Sequence, residues 1–350
     1  PAFIDALTTE LDLYRDAFPS FDTVYLGGGT PSVLTAGPLG AILDAVRRRF
    51  ALAGGAEITV EANPGDLNAD LLSALKTMGV NRLNIGCQSF DDDALAFLGR
   101  RHTAGRAREA ILAAREAGFS ELGLDLIYGL PAGIGDRPDA HAVWMGTLET
   151  ALSFRPEHLS CYQLTVEADT PLAGRLETQG LSLAGEDGQA RFFFETSERL
   201  ETAGYEHYEV SNFARGARHR SRHNGKYWNR APYLGIGPAA HSFDGLRRWW
   251  NPPDVASWGA DLRAGRRPLA GEETLSAESH RLEALFLGLR TSDGIDLDTY
   301  RTRYGCDLRV ERGHGIDRLV AEGLARIEGN RLSPTRRGLA CADAVARWLV

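Results

Sequence analysis

Residues 122–128 read Leu-Gly-Leu-Asp-Leu-Ile-Tyr, and this short apolar run decides the fold because it has the composition of a buried strand. Four comparable runs lie in the same half of the chain, at residues 23–26, 57–61, 82–86 and 158–164. Amphipathic helical stretches separate the runs, near residues 36–50, 67–78, 103–117 and 139–154. This βα repetition predicts a parallel sheet.

Glycine or polar residues follow each run at the point where a strand would end. They are Gly27-Gly-Gly-Thr-Pro31, Glu61, Gln88, Asp125 and the pair Gln163 and Thr165. In α/β barrels, functional groups collect at the carboxyl ends of the strands. The sequence therefore predicts a ligand site on one face of a barrel.

The Gly27–Pro31 stretch lies between a predicted strand and a predicted helix. Three successive glycines let a ligand approach the backbone closely, and Pro31 favours an extended turn. The stretch fits neither the dinucleotide-binding pattern nor the P-loop. A purely structural turn is the alternative.

Four side chains at or near strand ends are ambiguous when taken singly. The carboxylates Glu61 and Asp125 can accept hydrogen bonds from a ligand ammonium or ribose, or can pair with a neighbouring arginine. Gln88 has the same ambiguity, and Arg100 can bind a ligand carboxylate or an acidic neighbour. Together they indicate a polar ligand that carries ammonium, carboxylate and hydroxyl groups.

A second cluster is His223-Asn-Gly-Lys-Tyr-Trp228. A histidine close to tyrosine and tryptophan can ligate haem iron while the aromatic rings pack on the macrocycle. The alternative is a buried histidine that makes two hydrogen bonds beneath a loop.

Composition narrows the class of protein. The 350 residues are 43% hydrophobic and 25% charged, and the longest apolar runs fall short of the roughly 18 residues that a membrane span needs. A net charge of −8 disfavours nucleic-acid binding. The cysteines stand singly, at 87, 161, 306 and 341, as expected of free thiols in a reducing cytoplasm.

The last part of the chain differs in pattern. It predicts helices at 278–289, 297–304, 312–322 and 335–349, with a tight hairpin at 324–332. This arrangement resembles a winged helix, a module that binds DNA in some proteins and packs or contacts proteins in others. We expect three consecutive domains, at 1–170, 171–277 and 278–350.

Eight motifs in order resemble the HemW/HemN group of radical S-adenosylmethionine (SAM) proteins. They are Gly-Gly-Gly-Thr-Pro, Glu-Ala-Asn-Pro, Gly-Cys-Gln-Ser-Phe, Leu-Gly-Arg-Arg-His, Asp-Leu-Ile-Tyr-Gly-Leu-Pro, Tyr-Glu-Val-Ser-Asn-Phe-Ala, His-Asn-x-x-Tyr-Trp and Gly-x-Gly-Pro-Ala-Ala-His-Ser. The resemblance implies an α/β fold, a partial (βα)6-type parallel barrel with a small C-terminal winged-helix-like α+β module.

The resemblance also implies cofactors and site residues. SAM would contact Gly28, Gly29, Thr30, Glu61, Gln88, Arg100, Asp125, Thr165 and His241. The haem candidates would be His223, Asn224, Tyr227 and Trp228. The group's Cys-x-x-x-Cys-x-x-Cys loop for a [4Fe–4S] cluster does not occur in this sequence, and we expect it upstream of Pro1, with a first barrel strand.

Within this group the His-Asn-x-x-Tyr-Trp pattern resembles the haem-chaperone branch. This resemblance implies that haem is the cargo and that haem-acceptor proteins are the partners. Membrane-associated acceptors are one alternative. An oxygen-independent coproporphyrinogen III oxidase is the main competing hypothesis. A DNA-binding regulator and a hydrolytic barrel that uses Glu61 and Asp125 as acid and base are weaker ones.

Overall fold

The structure, a computed structural model, describes residues 2–135 and 139–349. Helices and strands alternate through the first half of the chain, as the sequence predicts. The elements are α1 (Ala2–Leu13), β1 (Ser20–Leu26), α2 (Ala36–Arg49), β2 (Ala51–Ala62), α3 (Ala69–Thr77), β3 (Arg82–Gln88), α4 (Asp92–Phe97), α5 (Ala104–Glu116), β4 (Leu122–Tyr128), α6 (Ala140–Ser153) and β5 (His158–Gln163).

The main sheet is a curled half-barrel, which confirms the predicted fold class. Helices α7 (Pro171–Gln179) and α8 (Glu186–Thr202) precede its last strands, β6 (Glu206–Glu209) and β7 (Asn212–Ala214). Among the described residues it has seven strands in the order β1-β2-β3-β4-β5-β7-β6. Strands β2 to β5 pair in parallel, whereas β7 is antiparallel to β5 and to β6.

Alternation along β4 shows why its polar residue points away from the helices. Leu122, Leu124 and Leu126 are fully buried, while Asp125 and Ile127, at alternate positions of the strand, keep partial exposure. Successive side chains of a strand point to opposite faces, so the leucines pack under the helices and Asp125 faces the concave side. The pairing register places Asp125 beside Ser160 of β5.

Aromatic-rich sequence follows the half-barrel. It forms α9 (Arg222–Trp228), β8 (His241–Phe243), β9 (Arg247–Trp250), α10 (Val255–Arg263) and β10 (Gly271–Thr274). The three strands make an antiparallel sheet with β9 in the centre. In this sheet His241 pairs with Trp250.

The C-terminal part combines helices with a small antiparallel sheet. Its elements are α11 (Ala277–Gly288), β11 (Ile295–Asp296), α12 (Leu297–Tyr304), α13 (Leu308–Ala321), β12 (Ala325–Glu328), β13 (Arg331–Pro334), α14 (Arg336–Ala340) and α15 (Ala342–Arg347). The β12–β13 hairpin lies where the sequence predicts it, and Gly329 supplies the positive φ of 60° that its turn requires.

The prediction of one continuous helix over 335–349 is wrong. The backbone leaves helical geometry at Cys341, where φ is −128° and ψ is 38°. Its N–H bonds to Gly338 O, and its thiol donates to the carbonyl of Arg337 that the N–H of a continuous helix would use.

Contacts group the chain into two compact units. One contains the chain up to Tyr25, Leu34–Glu57 and the chain from Ser221 onward, and the other contains Leu26–Val33 and Ile58–Arg220. The grouping differs from the three consecutive domains that we expect from the sequence. In the first unit a cluster of buried side chains joins distant segments: Leu11, Tyr14, Phe18, Ala45, Phe50 and Trp249.

Within the described residues we find no helix that is both long enough and apolar enough to cross a membrane.

Candidate functional site

A cavity of about 370 Å³ lies at the carboxyl ends of the strands, within the second unit. We call it the strand-end cavity. Five of the predicted ligand residues line it: Glu61, Gln88, Arg100, Asp125 and Thr165. The other lining residues are Ile127, Tyr162, Gln163 and Leu164. The sequence patterns indicate these five side chains singly, and the parallel sheet brings them together.

Gln88 is held in an unusual conformation at the end of β3. Its φ is 65°, and the pairing of β3 with β4 is irregular between Ile85 and Gln88. Positive φ is uncommon outside glycine and tends to occur at functional sites. A Cβ at Gly86 would stand 2.9 Å from the Gln88 amide nitrogen, so glycine leaves room for that side chain.

The glycine-rich turn after β1 contributes a backbone contact to the same site. Gly28 N–H donates to the Glu61 carboxylate at 3.2 Å, which fixes that side chain at the mouth. Gly28 and Gly29 have φ values of 75° and 73°, a conformation that L side chains rarely adopt. Thr30 C=O accepts from Val33 N–H within the turn. Gly28, Gly29 and Thr30 are not among the described residues that line the cavity.

The electrostatics of the cavity centre on two carboxylates and one guanidinium. Burial raises the pKa of Asp125 to about 6, and the nearby Glu61 adds to the rise, while the Ser160 hydroxyl and Arg82 oppose it. Arg100 brings a positive charge to the same cavity. The set can accept hydrogen bonds from ammonium or hydroxyl groups and can bind a carboxylate.

The cysteines do not form a metal centre among the described residues. Cys87 and Cys161 are buried, and burial raises the pKa of both thiols. Cys306 and Cys341 are partly exposed, and all four are free. Within residues 2–135 and 139–349, no three histidine, cysteine or acidic side chains are grouped so that they could hold a metal ion. Cys87 directly precedes Gln88 in the sequence but is not among the residues that line the cavity.

The predicted haem segment forms helix α9 in the first unit. Ser221 caps the helix, since its hydroxyl accepts from Asn224 N–H at 3.2 Å. A buried carboxylate, Glu57, accepts from the N–H groups of Arg222 and His223 at 3.2 and 3.0 Å. These groups have no partner within the helix, so Glu57 stabilises its first turn.

Both ring nitrogens of His223 are engaged. Nδ1 lies 3.0 Å from Thr23 Oγ1, Nε2 lies 3.0 Å from the Tyr227 hydroxyl, and the ring stacks on Tyr25 with centroids 4.8 Å apart. Burial, reinforced by Lys226, lowers the pKa of His223 to about 4. The imidazole is therefore neutral near pH 7, the form that binds metals, but iron could reach Nε2 only after Tyr227 moves.

His241 does not join the other predicted SAM contacts in the strand-end cavity. It is exposed, belongs to the first unit, and lines a different cavity of about 470 Å³. We call this the aromatic cavity. Its lining consists of Tyr227, Arg230, Tyr233, His241, Phe243, Arg248, Trp250, Glu273, Glu283 and Leu287.

Tyr227 is the one member of the predicted haem segment that is found among these lining residues; Asn224 and Trp228 lie on the same helix. Our sequence analysis missed Arg230, Arg248 and Trp250. The run Arg247-Arg-Trp-Trp250 was the available signal, although nothing in the sequence tells which of these side chains face the cavity.

Comparison with known families gives two matches. Residues 4–139 match the radical SAM superfamily, and residues 275–341 match the HemN C-terminal domain.

Curated relatives match over much longer spans. The chain is 37% identical over 348 residues to heme chaperone HemW of Mycobacterium tuberculosis, which covers 99% of this chain and 85% of that protein. It is 34% identical to heme chaperone HemW of Bacillus subtilis over 87% of this chain and 80% of that one. It is 40% identical to the mouse protein named radical S-adenosyl methionine domain-containing protein 1, mitochondrial. That match covers 94% of this chain and 75% of the mouse protein.

Among solved structures, coproporphyrinogen III oxidase (HemN) from Escherichia coli superposes with a TM-score of 0.84 at 21% identity. The superposition covers 99% of this chain and 82% of that one. At this level of identity the likeness establishes a shared fold and leaves the activity open.

Proposed function

This chain belongs to the HemW family of radical SAM proteins, and from that membership we propose that it binds SAM in the strand-end cavity and carries haem to acceptor proteins. The observation that supports the first half is the convergence of Glu61, Gln88, Arg100, Asp125 and Thr165 around one cavity. The names of the relatives support the second half.

The lining residues fit SAM by their chemistry. Arg100 suits the carboxylate of the cofactor, and Glu61 and Asp125 suit its ammonium and ribose hydroxyl groups. The exposed backbone of Gly28 and Gly29 allows close approach. When bound to a reduced cluster, SAM would supply one-electron chemistry. The described residues offer no ligand set for that cluster.

Haem is the proposed cargo, and the segment from His223 to Trp228 is the proposed contact. A neutral imidazole and three aromatic rings, those of Tyr25, Tyr227 and Tyr233, lie within this part of the first unit. Both features suit a metalloporphyrin. The cytoplasm remains the predicted compartment, with membrane-associated acceptors as one alternative.

Titration with hemin, followed by Soret absorption, tests the haem-carrier function. We expect saturable one-to-one binding and transfer of the hemin to an added apo-haemoprotein. A lack of saturable binding by the wild-type protein would contradict the function. If the wild type binds but His223→Ala binds equally well, the function stands and the role of His223 is wrong.

The competing activity is oxidative decarboxylation of coproporphyrinogen III, which the shared fold with the oxidase leaves open. Protein expressed from the native gene, reconstituted anaerobically with iron and sulfide and incubated with SAM, a reductant and coproporphyrinogen III, separates the two. We expect no decarboxylated product. Its formation at a catalytic rate would establish the oxidase instead.

A further inference from the structure

The aromatic cavity has the size of a small-molecule site. Its volume of about 470 Å³ lies within the range of roughly 300–1,000 Å³ typical of ligand pockets. All of its lining residues belong to the first unit, on α9, α11, the β8–β9–β10 sheet and the connection between α9 and β8. The aromatic cavity and the strand-end cavity share no lining residue, so the aromatic cavity can hold a ligand other than SAM.

Its walls suit a flat, apolar ligand. Tyr227 meets Tyr233 edge to face at 4.9 Å, and Tyr233 lies 6.3 Å from Phe243. The cavity is also lined by the His241 ring, which stacks on Trp250 with centroids 5.8 Å apart and planes inclined by 23°. Aromatic faces and edges favour stacking with a planar π-system.

One guanidinium in this cavity can bind an anion. Arg248 is partly exposed and pairs with Glu283 and with Glu273 on the neighbouring strand, in each case at 3.0 Å. Exposed ion pairs such as Arg248–Glu273 contribute little stability, so a ligand carboxylate can replace Glu273.

The second guanidinium balances the remaining carboxylate. Arg230 is 4% exposed and lies 3.3 Å from the Glu283 carboxylate, while it donates to His280 O and to the Tyr304 hydroxyl. Arg230 and Arg248 thus share Glu283. Displacement of Glu273 by a ligand therefore leaves one positive charge for the ligand's own carboxylate.

The cavity also offers an imidazole that is more accessible than that of His223. The Nε2 atom of His223 is capped by the Tyr227 hydroxyl, and its Nδ1 by Thr23. His241 is exposed and lines the cavity directly. Among the residues that the structure describes, we find no side chain bonded to the His241 ring nitrogens, so a ligand metal that enters the cavity can meet this imidazole without displacing one of them.

We propose that the aromatic cavity seats the macrocycle of the tetrapyrrole cargo beside α9, with His241 rather than His223 as the imidazole ligand to the iron and Arg248 as the partner of a propionate carboxylate. The assignment rests on the proposed haem-carrier function. It adds the residues that recognise the ring, the metal and the acidic edge of the cargo.

The test titrates hemin and metal-free protoporphyrin IX into the wild type and into matched variants. Arg248→Gln removes the carboxylate partner. Arg247→Gln is the control, because Arg247 lies over the Trp249 ring and pairs with Glu272 instead of lining the cavity. His241→Ala removes the imidazole, and Glu273→Gln removes the competing carboxylate. Thermal unfolding checks that each variant folds.

Two patterns are expected. Arg248→Gln weakens binding of both porphyrins roughly tenfold, as loss of a hydrogen bond to a charged group does, and Arg247→Gln changes neither. His241→Ala weakens hemin binding and shifts its Soret band but leaves the metal-free porphyrin unchanged. Glu273→Gln tightens both, and it carries the test if Arg248→Gln does not fold.

Other patterns overturn the proposal. If the wild type binds hemin while Arg248→Gln and Glu273→Gln bind with unchanged affinity, the cargo lies elsewhere and the carrier function stands. If His241→Ala keeps the hemin affinity and the Soret band, the iron ligand is wrong. If the wild type binds no hemin at all, the carrier function itself fails.

Discussion

At the residue scale, Asp125 shows how burial at a strand end changes the pKa of a carboxylate that faces a ligand cavity. Ser160 lies beside it on the neighbouring strand, and burial raises the pKa of Asp125 to about 6. Asp125 therefore binds a proton at a higher pH than solvent-exposed aspartates do.

We expect SAM affinity to fall as the pH decreases through about 6, because protonation of Asp125 removes an acceptor for the cationic ligand. Asp125→Asn should bind more weakly at pH 7.5 and lose this dependence. Isothermal titration between pH 5 and 8 measures both effects. A wild-type profile that stays flat across this range, or equal slopes for wild type and variant, would exclude Asp125 as the titrating group.

Glu10 is a second buried carboxyl, and it is not among the residues that line either cavity. It is fully buried and accepts from Gly237 N–H, the Asn251 amide and the Trp258 indole at 2.8, 2.5 and 2.9 Å. Even with three donors, burial raises its pKa from 4.5 to about 7. Desolvation of the charge thus exceeds the effect of its hydrogen bonds.

The raised pKa of Glu10 predicts a pH-dependent stability. Between about pH 4.5 and 7 the folded state keeps a proton that the unfolded state has released, so stability falls as pH rises through this window. Relative to Glu10→Gln, which does not titrate, the wild type should lose roughly 3 kcal/mol of unfolding free energy across this pH window. Urea unfolding at pH 4.5, 6 and 7.5 measures the difference. If the unfolding free energies of the two proteins depend on pH in the same way, Glu10 titrates normally.

At the scale of the element, helix α9 depends on a residue far away in sequence. It has seven residues, too few to be stable alone, and Glu57 binds the first two backbone N–H groups. The helix that carries His223 is thus positioned from strand β2.

Glu57→Ala should destabilise the protein by about 1–3 kcal/mol, because two partly buried N–H donors lose their acceptor. It should also speed hydrogen exchange at the amides of 222 and 223. Glu272→Ala, on exposed strand β10, is the control and should change stability by less than about 1 kcal/mol. Equal effects of the two substitutions would mean that the cap is not what holds α9.

In the C-terminal module, the position of helix α14 depends on close packing at Gly338. A Cβ at Gly338 on α14 would stand 1.9 Å from Leu324 O, whereas a Cβ at Gly313 on α13 would meet no atom within 4 Å. Gly338→Ala should therefore destabilise the protein by about 1–3 kcal/mol. Gly313→Ala should be neutral or stabilising by up to about 1 kcal/mol. Thermal unfolding compares them, and a neutral Gly338→Ala would mean that α14 can shift away from the hairpin.

At the scale of the whole molecule, the two cavities belong to different compact units. Each proposed ligand should therefore stabilise its own unit. A ligand at about 100 times its dissociation constant adds about 2.7 kcal/mol to the stability of the state that binds it.

Hydrogen exchange with and without each ligand tests this division. We expect SAM to slow exchange at the ends of β2, β3 and β4, and hemin to slow exchange in α9, β8 and β9. Strand β12, which lines neither cavity, provides the reference. Protection of α9 by SAM and of β3 by hemin would reverse the assignment of ligands to cavities.

The sequence by itself determined the strands of the half-barrel and the polar residues at their ends. Apolar runs, alternation and caps are local properties, and parallel strands must bring their carboxyl ends to one edge. For that reason Glu61, Gln88 and Asp125 could be predicted as neighbours across a gap of 64 residues.

Only the tertiary structure decided which residues share the first unit and where its histidines face. Helix α1 joins Trp249 through packing between distant segments, which leaves no local pattern. His241 was predicted beside SAM but lines the aromatic cavity, because pairing of β8 with β9 sets its neighbours. The positive φ of Gln88 and the two partners of His223 likewise depend on non-local contacts, which the chain makes only when folded.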